Sequence, residues 1–249
     1  MGLLTEEIFV CFDCESTGLD VRKDSIIEIA ASTFTFNKLL DSFETLVDPR
    51  VPIPKESTKI HHITDDMVEG KPTIKEVLPE FLKLAEKHIV VGHSIAFDID
   101  IVKESAKKHS VPTKLGEKPF IDTLRLARLY GGSPVNSLEK LREHFNIPSE
   151  GAHRAMSDVK VNIEVFKQLT RPFKTTEALL ERLKKPVALK LMPLGKYRGR
   201  IFKDIPIEYL SWAINQDFDV DLIFSLSSEI NKRKKGKHFT QASNPFADL

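Results

Sequence analysis

The sequence predicts an α/β fold in its first two thirds, followed by a small, mostly helical C-terminal module. Three observations predict it. The first fifty residues are dense in β-formers and punctuated by turn residues. From about residue 73 the apolar residues recur with helical period. Past Thr170 the Arg171-Pro172 pair marks a boundary, and the charge balance reverses. Residues 1–170 hold 22 Lys and Arg against 27 Asp and Glu, a net of −5, whereas residues 171–249 hold 15 against 9, a net of +6. With 249 residues and 41% hydrophobic side chains, the chain is long enough to bury a substantial core, which excludes disorder throughout. A charged fraction of 29% and the lack of an apolar run near ~18 residues exclude a membrane-spanning helix, so a soluble protein is expected. The opening MGLLTEEIFV has no basic stretch before its apolar residues, so the expected location is cytoplasmic. Cys11 and Cys14 are too few for a disulfide scaffold or a four-ligand zinc site.

Each element follows in order. Ile8 to Cys14 is apolar and breaks at Ser16-Thr17-Gly18, which predicts a buried strand ending in a turn. Further strands are expected over about Ser25 to Phe36 and Asp41 to Val47, the short spacers predicting an antiparallel meander. After the Pro-rich loop Val51-Pro-Ile-Pro54, Val77, Leu78, Phe81, Leu82 and Leu84 mark a helix over about 73–87. His88 to Gly92 reads as a short buried strand. Ser94 is placed to cap a helix over about 96–109, and helices fit 122–130, 136–145 and 154–169. Thr175 to Lys185 predicts a helical linker, ended by Pro186. Beyond it, Ile207 to Ile214 and Val220 to Ile230 show helical period around Trp212, enough for a small satellite core, and the charged end is expected to be mobile.

The chemistry rests on scattered acids. Asp13 and Glu15 alternate along the first strand, so both carboxylates leave the same face while Phe12 and Cys14 leave the other. An ionised carboxylate that loses water costs several kcal/mol unless a cation or donors replace it. No Lys or Arg adjoins the pair, and a divalent metal ion would answer the cost; the alternative is a pair at a strand end in water. Asp98 stands in the opening turns of the helix after Ser94, where the helix dipole alone would favour an acid. Asp158 lies on the helix whose apolar face includes Val159, Ile163 and Phe166. His153, five residues earlier, would be turned roughly 140° away on one helix, so it reaches the same site only from the loop entering it. That is the place for a general base, the alternative being a surface histidine at a helix start.

Phe-Asp13-Cys-Glu15-Ser-Thr-Gly-Leu, Gly-His-Ser-Ile-Ala-Phe-Asp98 and His153-Arg-Ala-Met-Ser-Asp158 resemble the three motifs of the DEDDh exonuclease family, which includes the epsilon proofreading subunits of bacterial replicative polymerases. The ordered set spans nearly all of residues 8–169, and Asp122 to Arg128 and Asn136 to Leu141 resemble the intervening segments. Ser94 stands where many members have Asn, and Met156-Ser157 replaces a leucine-acid pair; neither change removes an expected ligand. The resemblance implies an RNase H-like fold, with a mixed five-stranded sheet and flanking helices, in an exonuclease domain over residues 1–170. It implies hydrolysis of nucleic acid from the 3′ end to nucleoside monophosphates. It further implies two divalent metal ions, Mg²⁺ or Mn²⁺, held by Asp13, Glu15, Asp98 and Asp158, with His153 taking the proton of the attacking water. Thr17, Gly18 and Leu19 would meet the terminal nucleotide. The expected substrate is a single-stranded or frayed 3′ end of DNA, with RNA as the alternative, and a DNA polymerase subunit is a candidate partner. A further alternative is a nucleic-acid or polymerase-binding subunit without turnover, against which the intact acids and His153 argue.

Residues 171–186 then form the helical linker, and 187–249 a basic accessory module. Met192 to Phe202, followed by Ile205-Pro and Tyr209-Leu-Ser-Trp212, resembles a small module of uncharacterised function attached to such nucleases. Its basic residues between Lys190 and Arg200, and the run Lys232 to Lys237, read either as solvated charge or as a guide for a nucleic-acid backbone.

Overall fold

The computed structural model describes residues 2–131, 135–148 and 154–242, with side chains up to residue 235. Strands β1 (Phe9–Ser16), β2 (Ile26–Phe34) and β3 (Leu39–Leu46) form the antiparallel meander that the short spacers predict. After β3 come α1 (Lys55–His61), α2 (Asp65–Val68) and α3 (Ile74–Ala85), then β4 (Ile89–Gly92), α4 (Ala96–Lys108) and β5 (Ile121–Asp122). β4 pairs with β1 and β5 with β4, both in parallel, which completes a mixed five-stranded sheet in the order β3-β2-β1-β4-β5. This is the RNase H-like architecture with flanking helices. The first unit ends with α5 (Thr123–Tyr130), α6 (Leu138–His144), α7 (Ala155–Leu169) and α8 (Thr176–Lys184).

β1 is central, and its side-chain alternation divides the core in two. Val10, Phe12 and Cys14 pack with Val77, Phe81, Ile99 and Val102 of α3 and α4. Phe9 and Cys11 pack with Val159, Phe166 and Leu169 of α7 on the opposite face. Rings interlock within each half: Phe166 meets Phe9, Phe34 and Phe36 at 5.1, 5.8 and 5.8 Å, and Phe81 meets Phe12 and Phe43 at 5.2 and 6.3 Å. The two free cysteines are buried, one in each half, so their CxxC spacing does not gather them at one site.

Three differences from the sequence reading have local causes. Ser94 does not cap α4. The N-cap is Ile95, while Ser94 adopts a left-handed φ of 58° and donates its amide to Asp122 Oδ1 at 2.9 Å, because the chain must turn sharply between β4 and α4. Asp122 also caps α5 by accepting the Leu124 amide, so the residue read as a helix start closes the two-residue strand β5. The helices α1 and α2 are too short for a sustained period to reveal them.

The chain divides into two compact units, residues 1–183 and 184–249. α8, read as a linker, places Leu179 and Leu183 in the core beneath α7. The second unit is built on a Leu191–Ile201 bridge, a 3-10 turn over Phe202–Asp204, α9 (Ile207–Ala213) and α10 (Val220–Ala242). Met192, Phe202, Leu210, Leu222 and Leu226 form its core. Trp212 is not part of that core and stays 53% exposed. α10 runs on beyond Ile230, through the basic run; residues 243–249 of the tail expected to be mobile lie outside the described residues.

Candidate active site

The alternation of β1 places the acids. Asp13 and Glu15 continue the row begun by Phe9 and Cys11, so they leave the sheet on the face covered by α7, whose first turn carries Asp158. One ligand oxygen from each of Asp13, Glu15 and Asp158 lies within 4.8 Å of the others. Asp98 approaches from α4 and is 6% exposed; its Oδ1 accepts the Cys14 amide at 2.9 Å, which fixes it beside the same end of β1.

Burial and crowding dominate the electrostatics. Burial, then the Asp98, Asp158, Glu15 and Glu28 carboxylates, holds Asp13 well above the usual carboxylate range. Glu15 is pushed up to about 8 by burial, then by Asp158, Glu28 and Asp98, with Arg154 opposing. Asp98 rises to about 7 through burial, against hydrogen bonds from backbone amides. Oxygen-only donors crowded in this way fit a hard divalent cation such as Mg²⁺ or Mn²⁺.

The fold adds an anchor that the sequence reading missed. Glu28 on β2 lies opposite Glu15 in the sheet register and is fully buried. It accepts Arg154 Nε at 3.0 Å, Arg154 Nη2 at 2.6 Å and the Ala155 amide at 2.9 Å. It therefore pins the first turn of α7, three residues before Asp158, at a helix end that favours negative charge. The available signal was one acid inside the otherwise apolar run Ile26-Ile-Glu-Ile-Ala-Ala.

The structure brings Asp13, Glu15, Asp98 and Asp158 to one region, whereas His153 lies outside the described residues. Thr17 is committed to the turn after β1: its hydroxyl donates to Asp24 Oδ1 and accepts the Ser25 amide, and its carbonyl accepts Ser57 Oγ. These bonds fix the turn that carries Gly18 and Leu19. Gly18 packs against the Asp24 carboxylate, whose Oδ2 would stand 2.5 Å from an added Cβ, and Leu19 projects with 86% of its surface exposed. His93 is half-buried with its Nδ1 3.0 Å from Thr123 Oγ1, and loss of solvent lowers its pKa to about 4.

The family model described as "Exonuclease" (RNase_T) matches residues 10–166, which take in all of this sheet but Phe9, together with Asp13, Glu15, Asp98 and Asp158. The chain belongs to the RNase_T exonuclease family. A second model, with the description "Putative quorum-sensing-regulated virulence factor", matches residues 180–222. The exonuclease region is 38% identical over 164 residues to the DNA polymerase III subunit epsilon of Aquifex aeolicus, covering 66% of this chain and 80% of that protein. It is equally 38% identical to a PolC-type DNA polymerase III of Clostridium perfringens, covering 65% of this chain but 11% of the polymerase. Exonuclease X in complex with 5′ overhanging duplex DNA superposes with a TM-score of 0.55 at 26% identity, over 70% of this chain and 98% of that one. Escherichia coli Exonuclease I bound to a dA16 oligonucleotide shares the fold, with a TM-score of 0.61 at 18% identity, over 72% of this chain and 43% of that one. The acids of this RNase_T exonuclease domain lie where its sheet meets α4 and α7. Among its described residues, no helix is long and apolar enough to cross a membrane.

Proposed function

We propose that this exonuclease removes nucleoside 5′-monophosphates from the 3′ ends of DNA, acting on single strands or frayed ends. The observation that carries the reading is the convergence of Asp13, Glu15 and Asp158 within 4.8 Å, beside the buried Asp98. Two divalent cations, Mg²⁺ or Mn²⁺, held by Asp13, Glu15 and Asp158 and supported by Asp98, would supply charge neutralisation at both ends of an in-line displacement at phosphorus. Asp13 would help to hold both ions, and Asp98, whose Oδ1 accepts the Cys14 amide, would support one of them. His153, next in sequence to the α7 N-cap Arg154, would take the proton of the attacking water. Glu28 holds Arg154 and the Ala155 amide at the first turn of α7. Thr17, Gly18 and Leu19 receive the terminal nucleotide, Thr17 by a polar or backbone contact to the 3′-hydroxyl and the exposed Leu19 side chain by packing on its base.

DNA is favoured as substrate because the relatives are named as DNA polymerase III subunits or polymerases, and Exonuclease X is seen on duplex DNA. The same relatives make a DNA polymerase subunit the candidate protein partner, which copurification would reveal.

Labelled single-stranded DNA, duplex DNA and RNA, each incubated with Mg²⁺, Mn²⁺ or a chelator, test the proposal. The expected result is stepwise shortening of DNA from the 3′ end, release of 5′-monophosphates and loss of all cleavage in chelator. Cleavage that survives chelation overturns the metal assignment, and faster trimming of RNA than DNA overturns the substrate class.

A further inference from the structure

The second unit carries an aromatic and cationic surface that the exonuclease chemistry does not use. Tyr209 and Trp212 lie on α9, and Tyr197 lies in the loop before it. Tyr197 and Tyr209 meet edge to face at 4.7 Å, and Tyr209 and Trp212 lie 5.2 Å apart at 47°. This row remains at the surface, with Trp212 53% exposed, although the unit has an apolar core within one turn of it at Leu210 and Ala213.

The loop beside the row is closed by its own backbone. The Met192 amide donates to the Arg200 carbonyl and the Gly199 amide to the Met192 carbonyl, both at 2.8 Å. Gly195 and Gly199 take φ values of 73° and 80°, which favour glycine. An added Cβ on Gly195 would stand 2.6 Å from Tyr209 Oη, so the loop rests directly on the aromatic row. Lys196, Arg198 and Arg200 project from this loop, all exposed, and Lys196 Nζ lies 5.6 Å from the Tyr197 ring centre. Residues 190–212 hold five cations, Lys190, Lys196, Arg198, Arg200 and Lys203, against Asp204 and Glu208. Among the described residues, no carboxylate forms an ion pair with any of the five.

Arg233, in the second basic run, shows the contrast. It pairs with Glu229 and donates to the Ile205 and Phe202 carbonyls, so it braces the unit. The loop cations make no such contacts. An exposed Trp212 continuing a row of two half-buried tyrosines, beside exposed cations without carboxylate partners on a backbone-closed loop, supplies the elements of a single-strand site, in which bases stack and phosphates are neutralised.

We infer that residues 190–212 form a binding site for single-stranded nucleic acid, separate from the catalytic acids, in which Trp212 and Tyr197 stack on bases and Lys196, Arg198 and Arg200 contact phosphates. The choice of nucleic acid rests on the proposed exonuclease reading, and the test keeps the two apart. Full-length protein in chelator, where cleavage is off, is titrated with an oligothymidylate about 20 nucleotides long. Trp212 is the sole tryptophan, so its emission reports the site. The expected result is saturable quenching, with an affinity that falls as salt rises.

By anisotropy of the labelled strand, Trp212→Ala weakens binding about five-fold to about a hundred-fold, and Trp212→Phe retains most of it. The triple change of Lys196, Arg198 and Arg200 to Ala lowers the salt slope by about two. Cleavage of a dinucleotide in Mn²⁺ stays at the wild-type rate in these variants. Unquenched emission at saturating strand, or unchanged affinity and salt slope in both variant types, overturns the inference and leaves the surface to a protein partner. Quenching without cleavage in Mn²⁺ sustains this site and removes the exonuclease reading. Cleavage without quenching does the reverse.

Discussion

Asp13 and Glu15 bear opposing consequences for folding and for chemistry. Without metal, Glu15 (ordinarily near 4.5) titrates at about 8 and Asp98 (ordinarily near 3.8) at about 7. Over that window the native state holds protons that the unfolded chain has released, so stability falls as pH rises. Urea denaturation in chelator should show lower stability at pH 8 than at pH 5, and Mn²⁺ should restore more at the higher pH; a flat or rising profile in chelator contradicts the crowding. Asp13→Asn removes one of the repelling charges, so the metal-free chain should gain thermal stability while turnover disappears. His153→Ala should slow single-turnover cleavage by roughly 10²–10⁴-fold if it is the base. Glu28→Gln keeps the shape but loses the charge that holds Arg154 and the Ala155 amide. We expect a cost of about 1–3 kcal/mol in denaturant unfolding and a lower kcat at near-constant KM. Arg154→Ala should share that loss non-additively in a double-mutant cycle. Asp13 and Glu15 were legible from strand alternation and motif order together, whereas Asp98 and Asp158, which lie on helices, were legible from motif order alone. Glu28 was not, since its partners lie 126 and 127 residues away and only the closed sheet brings them near.

At the scale of elements, legibility followed length. α3, α4 and α7 repeat an apolar face for three turns or more, and their bounds fall within a few residues of those the periodicity predicts. β5 has two residues and α2 four, so neither holds a full period. The Ser94 cap misled because a serine before a helix is a local signal, whereas its left-handed backbone is set by Asp122 from a different strand. Trp212 misled in a related way, since helical period identifies a face but not whether a neighbouring element covers it. α7 carries the heaviest packing through Phe166, which touches three other rings. Phe166→Ala should cost about 3–5 kcal/mol in urea denaturation. A loss below about 1 kcal/mol would mean that the sheet face closes over the vacancy.

On the scale of the whole molecule, the charge asymmetry in the sequence coincides with two units that each have their own core. Removing residues 187–249 should leave dinucleotide cleavage intact while weakening the grip on longer strands and flattening its dependence on salt. A truncated chain with the full-length salt slope would place strand binding entirely in the exonuclease unit. β1 has a further consequence for how the chain reaches its working form. Its odd positions run from phenylalanine to carboxylate along one face, so a slip of one residue against β2 would thrust both acids among Phe81 and its neighbours and turn Phe12 out toward the helix that bears Asp158. A molecule that zips this strand in the wrong frame is disfavoured by the same crowded charges that the correct frame gathers beside α7.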